Sequence, residues 1–251
     1  MGEPTVGTGP RPDPNSGAAP LADAGKRSAA TAETARSALL AGATGLIGRA
    51  LLPLLLRSHR RVDVLVRRPP TGLDPAVRVH VVDFADLASG VPAADDVFIA
   101  LGTTIKAAGS QAAFRAVDLD AVVAVARAAR AGGATRLGIV SALGADATSS
   151  VFYNRVKGEM QDAVAGLGFA TVAIAQPSLL LGDRAALGQP VRAGEVWAAR
   201  LLGPVMRLVP RSIRPIAAAD VAAALATAVE SGRPGVRMLS SGAMQDAARR
   251  P

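Results

Sequence analysis

Residues 37–48 read SALLAGATGLIG, and residues 49–58 continue RALLPLLLRS. SALLAG is a short apolar run ending in glycine, as expected of a buried strand stopped by a tight turn. LIGRALLPLLLRS then follows as a helix, with Pro53 inside it and a kink expected there. Gly42, Gly45 and Gly48 stand three apart across the junction. Residues 38–56 are apolar for almost the length of a membrane span. Three glycines, Pro53 and Arg49 interrupt them, and a long polar stretch precedes them, so strand, turn and helix is the better reading.

The same alternation continues outward. RVDVLVRR (61–68), VRVHVVDF (77–84) and DDVFIALG (95–102) read as the next strands, and AAFRAVDLDAVVAVARAARAGG (112–133) as one long amphipathic helix closed by glycines. RLGIVSALG, SVFYNRVKGEMQDAVAGLG and FATVAIAQPS add a fifth strand, a helix and a sixth strand. The connection between the second and third strands is short, so its helix is expected to be reduced or missing. Strands alternating with helices predict an α/β fold, a doubly wound parallel sheet. From about residue 179 the alternation stops. A small helical C-terminal lobe is expected there, with helices over 194–209 and 217–229 and a last short strand, VRMLS. Residues 1–36 are rich in Pro, Gly, Ala, Ser and Thr and are expected to form a disordered leader. The folded unit is expected over 37–245, with 246–251 as a tail.

At 251 residues the chain is long enough for one substantial buried core. Hydrophobic residues make up 50% but aromatic ones only 3%, so that core must be built from Ala, Val, Leu and Ile, which suits helices on a parallel sheet. The absence of cysteine excludes disulfides, thiolate nucleophiles and cysteine metal sites, and makes a cytoplasmic setting the expectation. His59 and His80 have no metal-ligand spacing, so no metal is expected. A net charge of +8 would suit a nucleic-acid partner, but the arginines are scattered and stacking aromatics nearly absent. The expected partner is a small molecule, not nucleic acid or a membrane, on a monomer or homodimer.

In its strand-turn-helix setting the glycine spacing has a specific chemistry. Gly42 allows the tight turn, Gly45 lets the backbone approach a pyrophosphate, and Gly48 lets helix and strand pack closely. The free N–H groups at the helix start, around Thr44, Leu46 and Ile47, then hold the phosphates. Arg67 and Arg68 end the second strand, where an acidic residue would favour the free 2′-hydroxyl of NAD and arginines favour the 2′-phosphate of NADP. NADP(H) is therefore expected in preference to NAD(H). Asp83 and Phe84 end the third strand, placed for the adenine, and Leu101, Gly102, Thr103 and Thr104 end the fourth, where small residues let the chain pass under the cofactor. Pro177, after the sixth strand, completes the expected contacts.

The chain has one tyrosine, Tyr153, and one of its three lysines, Lys157, lies four residues on. With GATGLIG, the Arg67-Arg68 strand end, ALGTTIKAAGSQAAFRAVDLD, VSALGAD, YNRVKGEM and QPSLLLGDR, residues 37–245 resemble the short-chain dehydrogenase/reductase superfamily. Within it they are similar to the atypical NAD(P)H-binding branch, with its Tat-interacting-protein-like and epimerase/dehydratase-like groups. That resemblance implies a Rossmann-type sheet and a catalytic trio of Ser141, Tyr153 and Lys157. Tyr153 would be the acid/base and Ser141 would orient the substrate oxygen. Lys157 would lower the tyrosine pKa and hydrogen-bond the nicotinamide ribose. Asp118 stands where the superfamily often has an asparagine, and Gln176 where relatives often have a basic residue.

The expected activity is hydride transfer to or from a small carbonyl or hydroxyl compound. A binding protein that senses NADPH with little turnover is the alternative, as is a sugar-nucleotide epimerase, which would need room for its substrate in the C-terminal lobe.

Overall fold

The computed structural model describes residues 1–2, 36–87, 90–181, 210 and 213–248. In β1 (Ser37–Ala41), Leu39 and Ala41 enter one core and Ala38 and Leu40 the other. A strand whose residues alternate between two buried faces must lie inside a sheet covered on both sides. Gly42 ends it with φ at +93°, a conformation that only glycine adopts without strain. Then α1 (Leu46–Ser58) runs unbroken through Pro53.

The chain continues through β2 (Arg61–Val66), β3 (Arg78–Val81) and β4 (Asp96–Ile99). No helix joins β2 to β3, so Val79 and Val81 on β3 stay exposed. After β4 come α2 (Ile105–Ala108), α3 (Gln111–Arg115), a π turn (Ala116–Asp120) and α4 (Ala121–Ala131). The single long helix expected over this stretch is thus interrupted, and the π turn buries Asp118. Next are β5 (Arg136–Val140), α5 (Phe152–Ala165), β6 (Thr171–Gln176) and the short β7 (Leu180–Leu181) and β8 (Ile216–Ala217), which pair in parallel. The chain returns through α6 (Ala218–Glu230), β9 (Gly235–Ser240) and α7 (Ser241–Ala247).

All seven strands of the main sheet run parallel in the order β3-β2-β1-β4-β5-β6-β9. The fold is the expected Rossmann-type doubly wound sheet. One face packs on α1 and α6, the other on α4 and α5. Two segments assigned to the C-terminal lobe instead belong to this body. The segment α6 packs against α1 and over β5 and β6, and the last strand, β9, pairs with β6 over its full length. Ala218, Val221, Ala222, Leu225 and Val229 give α6 a buried apolar stripe that the sheet face accepts. The expected leader, apart from Met1, Gly2 and Arg36, and the expected helix over 194–209 lie outside the described residues.

Candidate functional site

The strand order reverses between β1 and β4, and ligands of open parallel sheets sit outside the carboxyl ends of the strands at such a point. The segments singled out in the sequence all follow the carboxyl ends of strands. The glycine turn follows β1, Arg67 and Arg68 follow β2, and Asp83 and Phe84 lie just beyond β3, which ends at Val81. Residues 101–104 follow β4, Ser141 follows β5 and Pro177 follows β6. The registers bring neighbours together: Ala41 is level with Leu65 and with Ile99, and the Ala100 N–H donates to the Ala41 carbonyl at 2.8 Å.

The three glycines have different reasons to be glycine. A Cβ on Gly42 would lie 2.5 Å from the Ala100 carbonyl oxygen, and one on Gly48 would overlap the Gly42 backbone. Both are required by the protein's own packing. A Cβ on Gly45 would come no nearer than 3.5 Å to any neighbouring atom, and its φ is −80°. Nothing in the polypeptide demands glycine there, so the space it leaves fits a ligand. No side chain caps α1 and no acid stands in its first turn, so its N–H groups and the positive end of its dipole are presented to that space. These features fit a pyrophosphate. Thr44 is exposed, Gly45 and Leu46 are half-buried, and Ile47 is in the core, so Ile47 has only its backbone to offer a ligand. Arg67, Arg68 and Asp83 are exposed, Phe84 and Leu101 pack half-buried on the second core, and Pro177 is buried.

Tyr153 and Lys157 share one face of α5, a turn apart. The Tyr153 ring packs on buried Phe114, with centroids 5.4 Å apart, which holds it at the start of the helix. Lys157 is buried and its Nζ lies 2.7 Å from Asp118 Oδ1. The other carboxylate oxygen of Asp118 accepts the Thr103 N–H at 2.8 Å. Asp118 therefore ties α5 to the loop after β4, and the π turn brings it there. This ion pair was not anticipated: the sequence marked Asp118 only as a departure.

Ser141 is buried, its N–H donating to the Ala175 carbonyl at 2.7 Å. Gln161 Nε2 donates to Ser141 Oγ at 2.6 Å, and Gln176 Nε2 donates to Gln161 Oε1 at 3.3 Å. Gln161 lies two turns after Tyr153 on the stripe that holds Lys157. That four-residue spacing was the signal that could have found it. Gly158 was also missed. A Cβ there would overlap the backbone of Asp146 and Ala147, so glycine lets the loop after β5 lie directly on α5. The Asp146 N–H donates to the Asn154 carbonyl at 3.0 Å and seals the contact.

The histidines serve structure. His80 hydrogen-bonds Asp63 at 2.7 Å across β3 and β2, and His59 caps α1 and bonds Asp96 at 3.0 Å. Among the described residues no group of three or more His, Cys, Asp or Glu gathers as a metal site would require, and no helix is long and apolar enough to cross a membrane.

Residues 42–176 match the family described as NAD(P)H-binding. Protein HTATIP2 of Rattus norvegicus is 38% identical over 173 residues, which cover 66% of this chain and 69% of that protein. The mitochondrial protein FMP52 of Coccidioides immitis is 35% identical over 162 residues, 58% of this chain and 66% of that one. Several FMP52 relatives carry the word mitochondrial in their names, which overturns the cytoplasmic expectation drawn from the lack of cysteine. Among solved structures, an oxidoreductase of the short-chain dehydrogenase/reductase family from Burkholderia thailandensis aligns with TM-score 0.60 and 21% identity, covering 84% of this chain and 94% of that one. The human epimerase family protein SDR39U1, solved with NADPH, aligns with TM-score 0.56 and 21% identity, covering 80% and 73%. At these identities the structures speak to the fold.

Proposed function

The chain belongs to the NAD(P)H-binding family, in the atypical short-chain dehydrogenase/reductase branch, and from that premise we propose that it is an NADP-dependent oxidoreductase acting on a small carbonyl or hydroxyl compound. The observation that carries the reading is the tethering of three groups to one helix face. Tyr153 and Lys157 lie on α5, and Ser141 is hydrogen-bonded to Gln161 of the same stripe.

When bound, NADPH supplies the hydride for the substrate carbon. Tyr153 gives the phenolic proton to the substrate oxygen as that carbon is reduced, and takes one back in the reverse direction. Ser141 orients the same oxygen by hydrogen bonding. Lys157, anchored on Asp118, puts a buried ammonium one turn from the phenol and supports the developing phenolate. The first turn of α1 and Gly45 receive the pyrophosphate, and the exposed Arg67 and Arg68 receive the 2′-phosphate. Asp83, Phe84, residues 101–104 and Pro177 form the rest of the cofactor cleft.

Reduction of benzaldehyde by the full chain with NADPH or NADH as donor tests this reading. We expect NADPH to be the better donor, with removal of both arginines (Arg67→Ala with Arg68→Ala) raising the NADPH dissociation constant by about 10- to 100-fold and leaving NADH unaffected. Equal use of both donors by the unaltered protein removes the arginine assignment, and failure to bind either removes the whole reading.

A further inference from the structure

Buried Ser141 and Gln161 and half-buried Gln176 form a polar chain at the carboxyl ends of β5 and β6. Ser141 and Gln161 are 4% and 5% exposed. An apolar side chain of the same length would fill the place of Gln161 without the cost of desolvating an amide, so the amide needs a use. Neither backbone requires it: the Ser141 N–H is already bonded to Ala175, and Gln161 lies inside α5. Both ends of the Gln161 amide are engaged. Its nitrogen donates to Ser141 Oγ at 2.6 Å, and its oxygen accepts from Gln176 Nε2 at 3.3 Å. The donors thus run in one direction, from Gln176 through Gln161 to Ser141. A hydroxyl has one hydrogen and two acceptor lone pairs. With Oγ accepting on the protein side, its hydrogen remains for a partner on the cleft side.

Resting on the reading of Ser141 given above, we propose that Gln161, oriented by Gln176, is a positioning residue that commits Ser141 to donate its hydrogen to the substrate oxygen. Two consequences follow. The atom received beside Ser141 must be an acceptor, as a carbonyl oxygen is. With the Tyr153 phenol as the second donor to that oxygen, the site binds a carbonyl better than the corresponding alcohol, and so favours reduction.

The test exploits the polarity of residue 161 at nearly constant shape. Gln161→Glu keeps the bond from Gln176, because a carboxylate also accepts, but it can only accept from Ser141 and so turns the hydroxyl hydrogen inward. Gln161→Met removes the bond and leaves Ser141 free to rotate. Turnover of benzaldehyde with NADPH at pH 8, measured well below the melting temperature of each variant, is expected to fall in the order unaltered protein, Met variant, Glu variant, the last by about 10- to 1000-fold, with NADPH affinity unchanged and the buried carboxylate lowering the melting temperature of the Glu variant most. A purely space-filling role predicts the Glu variant at least as active as the Met variant, and that order overturns the proposal.

Infrared difference spectra of ¹³C-carbonyl benzaldehyde bound with NADP⁺ read the same bond without turnover. The carbonyl stretch should lie lower in the unaltered protein than in the Glu variant, and equal frequencies overturn the proposal. The two failures are distinguishable. Full turnover in Tyr153→Phe defeats the acid/base reading while leaving the order at position 161 to stand. A protein that binds no carbonyl compound defeats both.

Discussion

Lys157 and Asp118 show how much rests on single side chains. A buried pair such as this, 4% and 1% exposed, costs desolvation that only its partner and its other hydrogen bonds offset. Removing one member strands a buried charge. Asp118→Ala is expected to lose about 3–5 kcal/mol of unfolding free energy, measured by urea denaturation, and the double variant Asp118→Ala with Lys157→Met to recover part of it. Equal losses in the single and double variants would mean that the two charges do not depend on each other. The sequence made Tyr153 and Lys157 conspicuous because both residue types are rare in this chain. It could not reveal that Asp118 would meet Lys157, since the contact spans 39 positions and depends on a π turn that local spacing does not announce. Gln161 escaped notice for a related reason: an isolated glutamine on a helix is ordinarily solvated, and only the fold buries this one.

At the scale of elements, the glycine turn separates packing from ligand binding. Gly48→Ala would force a Cβ into the Gly42 backbone and is expected to destabilise the protein by about 1–3 kcal/mol or more. Gly45→Ala meets only ordinary contacts in the polypeptide, so its melting temperature should hold while NADPH affinity falls on the order of tenfold or more. Calorimetry and thermal melts on the two variants check both halves, and loss of stability without loss of affinity at position 45 would make that glycine structural. Strand-turn-helix was legible here because the apolar run, the glycines and the helix lie within 22 contiguous residues. The long helix over 112–133 was less so, since its apolar residues persist through Ala116–Asp120 while the backbone widens into a π turn. Likewise VRMLS reads as a strand wherever it lies. Its place beside β6 is decided by contacts some 60 residues away in sequence, so that it looked like part of a lobe.

Across the whole molecule, the two ends of the sheet do different work. The carboxyl ends hold the candidate site, and the amino ends hold a buried cluster around Asp96 at the start of β4. Asp96 accepts from Arg36 Nε at 2.9 Å and is bonded to His59 Nε2 at 3.0 Å. Burial pushes its carboxyl upward, but the hydrogen bonds from His59 and Arg36 and the Arg36 charge outweigh this and hold it below its ordinary 3.8. With the folded value below the unfolded one, this contribution is complete above about pH 4 and is lost as pH falls through the folded value. Asp95, bonded to Ser37, is lowered as well and acts in the same direction. Denaturation midpoints should therefore drop below pH 4, and Asp96→Asn should be less stable at pH 7 yet lose less on acidification. An unchanged acid dependence in that variant would remove Asp96 from the account.

The central claim, that a cofactor-binding sheet presents Tyr153 as the proton donor, is tested most directly on one pair of proteins. NADPH binding by calorimetry and NADPH-dependent benzaldehyde reduction are measured on the unaltered chain and on Tyr153→Phe. The predicted result is an unchanged dissociation constant with turnover reduced by about 10²- to 10⁴-fold. Undiminished turnover in the phenylalanine variant would contradict it.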